Sequence, residues 1–426
     1  MTAARLLDLF PETGAIDRGE LVVGGVPASE LAGRFGTPLV VYCEQTIRSR
    51  ARVYRQHAPG ALVVYGMKAF ANLALLHVLV EEGLGADVST LGELEFALAA
   101  GVPAERLVVH GNNKSDEELR RAAAVGAEFV VLDAPDELER AAAAGVRRAL
   151  VRVTPGIEAE THEAIRTAHV GSKFGLPPEQ ALELLRRGRE TAVAIVGLHV
   201  HVGSQLLGLD AVLTTVDWLA AFAARCRAEL EWTPSVLDLG GGLGVRYLED
   251  GRAPAIDEFV QALLGRLERG LDLHDLPRPQ LVLEPGRSIV GPAAYTLYRV
   301  GTVKRASEAT TYVAIDGGMS DNPRPQLYGA RHTALLANHA DEAPAGAYAV
   351  CGKHCEAGDV LIERVELPDP RRGDLLAVPA TGAYTLAMSS TYNGVPRPAA
   401  VLVAAGDARL IRRRETVADL LALEAT

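Results

Sequence analysis

The sequence predicts an α/β protein: a (β/α)8 barrel joined to a C-terminal β domain that also takes in the N-terminal strands. Three observations carry this expectation. Between about residues 45 and 291, eight short apolar runs alternate with seven amphipathic helical stretches. A Gly-rich turn follows the seventh run, whereas a doubly wound open sheet usually carries it after the first. Beyond Gly291 the helical periodicity stops and short strand-like segments separated by turns take over. The expected domains are 45–292 for the barrel, and 1–44 with 293–426 for the β domain.

In chain order, Glu20–Val23 and Pro38–Tyr42 are strand-like and close enough to the start to join the C-terminal sheet. The barrel strands are expected at Leu62–Tyr65, Gly85–Val88, Arg106–His110, Phe129–Asp133, Ala149–Thr154, Ile195–Val202, Val236–Leu239 and Leu281–Glu284. The helices between them are expected at Asn72–Glu82, Leu91–Ala100, Ser115–Val125, Pro135–Ala144, Pro178–Glu190, Leu209–Leu230 and Ile256–Leu271. The third opens on Ser-Asp-Glu-Glu, a helix start signal. Further on, Ala294–Val303, Thr311–Ile315, Tyr348–Val350, Leu375–Val378 and Ala399–Ala404 read as strands.

Composition narrows the functions. The 426 residues exceed one typical domain. A formal net charge of -11 argues against a nucleic-acid surface, which needs clustered Lys and Arg. No apolar run approaches the ~18 residues of a membrane span, and Met1–Gly14 lacks a signal-peptide core. A cytoplasmic protein is expected. Cys43, Cys226, Cys351 and Cys355 are scattered and suggest no disulfide framework. Cys351 and Cys355 have no second Cys/His cluster to complete a zinc site.

In a barrel of this kind the C-terminal strand ends face one mouth. Polar residues at those positions are Lys68, Asp87, His110, Arg152, His201 with Ser204, the Gly240–Gly242 turn, and Glu284 with Arg287. A strand-end lysine is most often a solvated charge. Apolar flanks in Tyr-Gly-Met-Lys-Ala-Phe make Lys68 a candidate Schiff-base lysine. Gly240, Gly241 and Gly242 form either a plain tight turn or a loop whose N–H groups approach a phosphate. Together with the lysine they point to a phosphorylated cofactor. Glu284, in Glu-Pro-Gly286-Arg287, is either a strand-end ion pair or a carboxylate that keeps a pyridine nitrogen protonated. A protonated ring is the electron sink that loss of CO2 from an amino acid requires. Alternation puts His199 and His201 on one side of their strand, with only His201 expected at the mouth, flat against a cofactor ring. A metal held by these two histidines lacks a carboxylate pattern to complete it, so no metal is expected.

These motifs together resemble the fold-type III pyridoxal-phosphate decarboxylases, whose members act on diaminopimelate, ornithine or arginine. The resemblance runs from about Leu21 to Val403, with each motif in order. It implies a barrel of the alanine-racemase type and pyridoxal 5'-phosphate as cofactor. Lys68 would hold the cofactor and His201 would stack on its ring. Ser204, Gly240, Gly241, Gly242, Gly286, Arg287 and Tyr384 would bind it on the phosphate side, with Glu284 at the ring nitrogen and Asp87 and Arg152 in support. Lys173-Phe-Gly175 is a further signature. Cys355-Glu356-Ala-Gly-Asp359 is similar to the Cys-Glu-Ser-Gly-Asp motif of the diaminopimelate-acting members, with Ala357 in place of Ser. Cys355 would be catalytic, as proton donor or through a water it orients. Asp321–Tyr328 is similar to their substrate loop, so Arg324 and Tyr328, with Arg287, Tyr384 and Glu356, would bind substrate. The physical logic agrees: a second amino-acid head needs donors for its carboxylate, and Arg pairs a carboxylate bidentately. The resemblance further implies a homodimer whose active sites are shared between subunits. The alternatives are decarboxylation of ornithine, lysine, arginine or carboxynorspermidine in the same fold, and a non-enzymatic carrier or regulator. The latter predicts that Lys68, Glu284 and Cys355 are missing, and all are present.

Overall fold

The computed structural model describes residues 6–156 and 172–425; the first five residues of the N-terminal segment lie outside that description. The chain divides into two compact units. One is Arg50–Gly244 with Ala253–Ser288; the other is Met1–Ser49 with Val245–Arg252 and Ile289–Thr426. The segment Val245–Arg252, inside the barrel domain in the sequence reading, therefore packs with the β unit.

Among the described residues four strands precede the barrel: β1 (Ala15–Asp17), β2 (Glu20–Val23), β3 (Val26–Pro27) and β4 (Leu39–Cys43). The barrel strands are β5 (Leu62–Gly66), β6 (Gly85–Val88), β7 (Leu107–Val109), β8 (Phe129–Leu132), β9 (Arg148–Arg152), β10 (Ala194–His199), β11 (Val236–Asp238) and β12 (Gln280–Leu283). They close in the order β10-β11-β12-β5-β6-β7-β8-β9, and every neighbouring pair is parallel. Strands covered on both faces must be apolar throughout rather than alternating, and Val64, Val108, Phe129, Val131, Leu150, Val236 and Val282 fill the interior. The strands thus form a packed core, and the open end is left to the polar residues that follow them.

Helix starts are specified locally. Asn72 Oδ1 accepts from the N–H groups of Ala74 and Leu75 at 3.1 and 3.2 Å, so Leu73–Glu81 begins as soon as the chain has left the Lys68 turn. Ser115 and Glu118 form a reciprocal capping box at the head of Asp116–Val125. Gly126 and Gly145 take left-handed φ values of 74° and 85° at helix C-caps, a conformation that favours glycine.

In the second unit the strands are β13 (Ala294–Arg305), β14 (Thr311–Ile315), β15 (Leu335–Leu336), β16 (Gly346–Cys351), β17 (Val360–Leu367), β18 (Leu375–Pro379), β19 (Ala399–Ala404) and β20 (Asp407–Arg412). The sheet runs β17-β16-β14-β13-β4-β19-β20, with β18 pairing β13 and β15. N-terminal β4 lies in its middle, antiparallel to β13 and parallel to β19. Its five residues are all buried, as a central strand requires. β1, β2 and β3 form a separate small antiparallel sheet. Among the described residues no helix is long and apolar enough to cross a membrane.

One strand end moves with consequences for the site. β10 stops at His199, not Val202, because its neighbour β11 ends at Asp238 and turns through Gly240 at φ 64°.

Candidate active site

Each barrel strand carries an ionisable side chain at its C-terminal end or within two residues of it. Lys68 follows β5 in a single 3-10 turn, Met67–Ala69. Buried Met67, Ala69 and Phe70 anchor that turn and leave the Lys68 side chain half exposed. Asp87 lies in β6, His110 follows β7, Asp133 follows β8, and Arg152 ends β9. His199 ends β10, Asp238 ends β11, and Glu284 follows β12. Lys68 Nζ is 3.3 Å from Asp87 Oδ2. Arg152 lies over the Phe174 ring at 4.7 Å, with its Nε 3.8 Å from Asp133 Oδ1.

Glu284 sits at the centre of a buried cluster. Its Oε1 is 2.5 Å from His110 Nε2, and its Oε2 is 3.4 Å from His199 Nε2. Burial works to raise its pKa, but the two histidines outweigh it and hold the carboxyl well below its usual range. Asp238 moves the other way: burial first, then the charge of Glu284, push it well above the ordinary carboxylate value. Of the two, Glu284 therefore holds the charge more readily and Asp238 the proton. Burial lowers His199 to about 4. His201 is also held well below its ordinary value, by burial and then by the charges of Lys68 and Arg152. Both rings are neutral near pH 7.

The glycine turn is built for close approach. Gly240 and Gly242 have φ 64° and 104°. A side chain on Gly240 would meet His201 Nδ1 and Val200 O at 2.7 Å, and one on Gly241 would strike the carbonyl of Glu284. Gly241 N donates to His201 Nδ1 at 3.3 Å, which ties the histidine to the turn. Arg287 Nη2 donates to Ser204 Oγ at 3.0 Å. Gly286 packs directly on Gly66 and Ala69, so the Glu284 segment abuts the Lys68 turn.

The remaining candidates belong to the β unit. Arg324 is buried with its guanidinium 4.2 Å from the Tyr247 ring centre. Tyr328 Oη donates to Met388 Sδ at 3.8 Å. Cys355 is exposed and unpaired; its N–H donates to Asn393 Oδ1 at 3.0 Å, and Tyr392 Oη donates to Glu356 Oε2 at 3.3 Å. Tyr384 has φ 58°, a left-handed position that costs a side chain of this size free energy.

One expectation is corrected here. His199 does not lie below the mouth, because β10 ends on it and brings its ring to Glu284. One donor atom each from His110, His199, Asp238 and Glu284 lies within 4.8 Å of the others, a cluster that takes in His199 but not His201. Asp133, Asp238 and His199 were absent from the site as read from sequence, and His110 was read only as a strand-end polar residue. Their signal was position: each ends a strand or follows its last residue.

The barrel fits a polar, phosphorylated ring. Asp87 Oδ1, Asp133 Oδ2, both nitrogens of His199, and Asp238 Oδ2 are buried without a hydrogen-bond partner, so the interior offers polar groups that a ligand would satisfy. An amine at the rim, a glycine turn and an ionised carboxylate complete the set. These features define a (β/α)8 barrel whose strand-end groups suit a phosphorylated cofactor. The chain belongs to the pyridoxal-dependent decarboxylases: residues 44–291 match the family described as pyridoxal-dependent decarboxylase, pyridoxal binding domain. Its cofactor is pyridoxal phosphate. The chain is 45% identical over 423 residues to the diaminopimelate decarboxylase of Actinosynnema pretiosum subsp. auranticum, covering 98% of this chain and 95% of that protein. It is 40% identical over 420 residues to that of Bacillus subtilis, covering 95% of each. The crystal structure of the M. jannaschii diaminopimelate decarboxylase in complex with L-lysine superposes with a TM-score of 0.91 at 32% identity, over 100% of this chain and 99% of that one.

The His199 ring supplies a pH test. Unfolded, it protonates near pH 6.5; folded, it stays neutral to about 4. Between those values the unfolded chain binds the extra proton, so the neutral ring's contribution to stability is lost as pH falls. The melting temperature of His199→Gln should therefore fall less than the parent's from pH 6.5 to 4. Parallel curves would mean that His199 titrates alike in both states.

Proposed function

We propose that the chain decarboxylates meso-2,6-diaminopimelate to L-lysine and CO2, the final step of lysine biosynthesis. The observation that carries the chemistry is the pairing, at one barrel mouth, of the rim amine of Lys68 with the buried, ionised carboxylate of Glu284. The full-length similarity to diaminopimelate decarboxylases supports the substrate.

When bound, pyridoxal phosphate supplies an electron sink for the pair left on the α-carbon as CO2 departs. Lys68 would hold it covalently through Nζ, with Asp87 as the counter-charge. Glu284 would keep a proton at the ring nitrogen. His201, neutral and fixed by Gly241, would lie against the ring. Ser204, Arg287, the N–H groups of Gly240–Gly242 and Tyr384 would take the phosphate. Arg324 and Tyr328 would bind the distal carboxylate of the substrate and Glu356 its ammonium. Cys355, or a water it orients, would deliver a proton to the α-carbon. We further propose a homodimer with shared sites. Four unpaired cysteines fit the reducing cytoplasm.

The direct test is product analysis. Meso-diaminopimelate should give equal amounts of L-lysine and CO2, with far slower release from ornithine, arginine and lysine. Faster turnover of any of these three would replace the substrate assignment. Arg324→Ala should raise KM for diaminopimelate about tenfold or more, since a hydrogen bond to a charged group is worth roughly 1.5–3 kcal/mol. An equal loss on a diamino acid with one carboxylate would instead mark a structural defect. Glu284→Gln should keep the cofactor and lose most of kcat; unchanged kcat would make Glu284 a structural carboxylate only.

A further inference from the structure

We propose that His110 is a positioning residue for the reaction: by donating from Nε2 to Glu284 it fixes the orientation and charge of the carboxylate that the cofactor's ring nitrogen would meet. The proposal rests on the reading of Glu284 given above, and it gives a task to a buried group that the mechanism does not otherwise use.

The geometry is specific. His110 Nε2 is 2.5 Å from Glu284 Oε1 and 3.8 Å from Asp87 Oδ1. A carboxylate can only accept, so Nε2 is the donor in this contact, and its one proton goes to the nearer acceptor. The ring meets His199 edge-on, with centroids 4.9 Å apart, and His199 faces the other oxygen of Glu284. Gly240 N–H already occupies Asp238 Oδ1 at 2.9 Å. His110 thus makes the shortest contact to a carboxylate whose other oxygen faces His199 at 3.4 Å and whose surroundings also hold Asp87, Asp238 and the more distant charge of Arg152.

The ring is held from behind. His110 N donates to Val88 O at 2.8 Å. The next residue, Gly111, turns at φ 124°, where a side chain would meet Ser89 O and the Lys114 stem at 3.2 Å. Buried Lys114 donates to Gly111 O at 2.6 Å and to Val131 O at 2.7 Å, and pairs with Glu137 at 3.0 Å. The exits of β7 and β8 are locked together, and His110 has little freedom to leave Glu284. Without its N–H, Glu284 would keep only the longer 3.4 Å contact to His199; a buried carboxylate with fewer donors tends to take up a proton, and a protonated oxygen no longer stabilises a charge on a ring nitrogen.

The test separates this role from a general packing role. The enzyme is stripped of cofactor and titrated with pyridoxal phosphate or with its 1-deaza analogue, in which a ring C–H replaces the nitrogen. The parent should prefer pyridoxal phosphate. His110→Phe should weaken pyridoxal phosphate binding about ten- to a hundredfold and leave the analogue's affinity unchanged, because a charged hydrogen bond is lost on one side only. His110→Asn, which keeps an N–H donor, should recover part of the preference. Equal weakening of both ligands, or a preference in His110→Phe as large as the parent's, would overturn the proposal while leaving the function intact. A parent that does not distinguish the two ligands would overturn the reading of Glu284, and the proposal with it. Should His110→Phe fail to fold, His110→Ala with and without added imidazole supplies the same comparison: imidazole should restore the preference for the nitrogen-bearing ring, and failure to do so would count against the role.

Discussion

Lys68→Ala should purify without the yellow of bound pyridoxal phosphate and should lose CO2 release from diaminopimelate by about a thousandfold or more, as removal of a covalent catalyst does. The chain has only five lysines: Lys68, Lys114, Lys173, Lys304 and Lys353. Lys114 has its ammonium spent on two carbonyls and Glu137, and burial lowers its pKa. Lys173 lies with its amine 4.8 Å from the Phe174 ring centre, and Lys304 and Lys353 belong to the β unit. Lys68 alone combines a barrel-mouth position, an exposed amine and an adjacent carboxylate. Borohydride reduction of the parent should therefore fix the cofactor on the peptide containing Lys68, and mass mapping has four other lysine positions to compare. Label on any of those four, or a yellow and active Lys68→Ala protein, would remove Lys68 from the mechanism.

The barrel was legible because its strands are continuous apolar runs punctuated by cap residues. Gly85–Val88 and Thr311–Ile315 match the expectation residue for residue, and Ser115 marks its helix start through a side-chain bond visible in the sequence as Ser-x-x-Glu. Other elements were hidden by charge. The helix Glu44–His57 buries Ile47, Ala51 and Tyr54, spaced four and three apart, within a segment rich in Arg and Gln. Edge strands β17 and β20 carry Glu363, Arg364, Glu366, Asp407 and Arg409, as edges that must resist pairing often do. In the site, strand-end position disclosed Lys68, Asp87, Arg152 and Glu284, because the barrel makes that position a shared mouth. The Asp238 and His199 roles were not legible. Whether a buried carboxyl keeps its proton depends on which other charges the closed barrel brings beside it, and no local pattern states that.

Lys68→Ala and Cys355→Ala proteins, each nearly inactive alone, should recover about a quarter of the parent activity when mixed under subunit exchange. Lys68 and Glu284 belong to the barrel unit, whereas Cys355 and Glu356 belong to the β unit. The Cys355 loop is held at its base, by Asn393 at the backbone and by Tyr392 at Glu356, yet Cys355 itself is exposed. A proton donor needs to be enclosed with the reacting carbon, so an exposed one fits a site that a second subunit completes. In a two-fold dimer each mixed pair then has one site carrying both lesions and one carrying neither. Random exchange makes half the dimers mixed, and half of their sites are intact, which yields the quarter. The same logic predicts that dilution below the dimer dissociation range lowers specific activity, and that adding protein back restores it. Exchange verified by mass, with no activity regained, would place Lys68 and Cys355 of one chain in the same site.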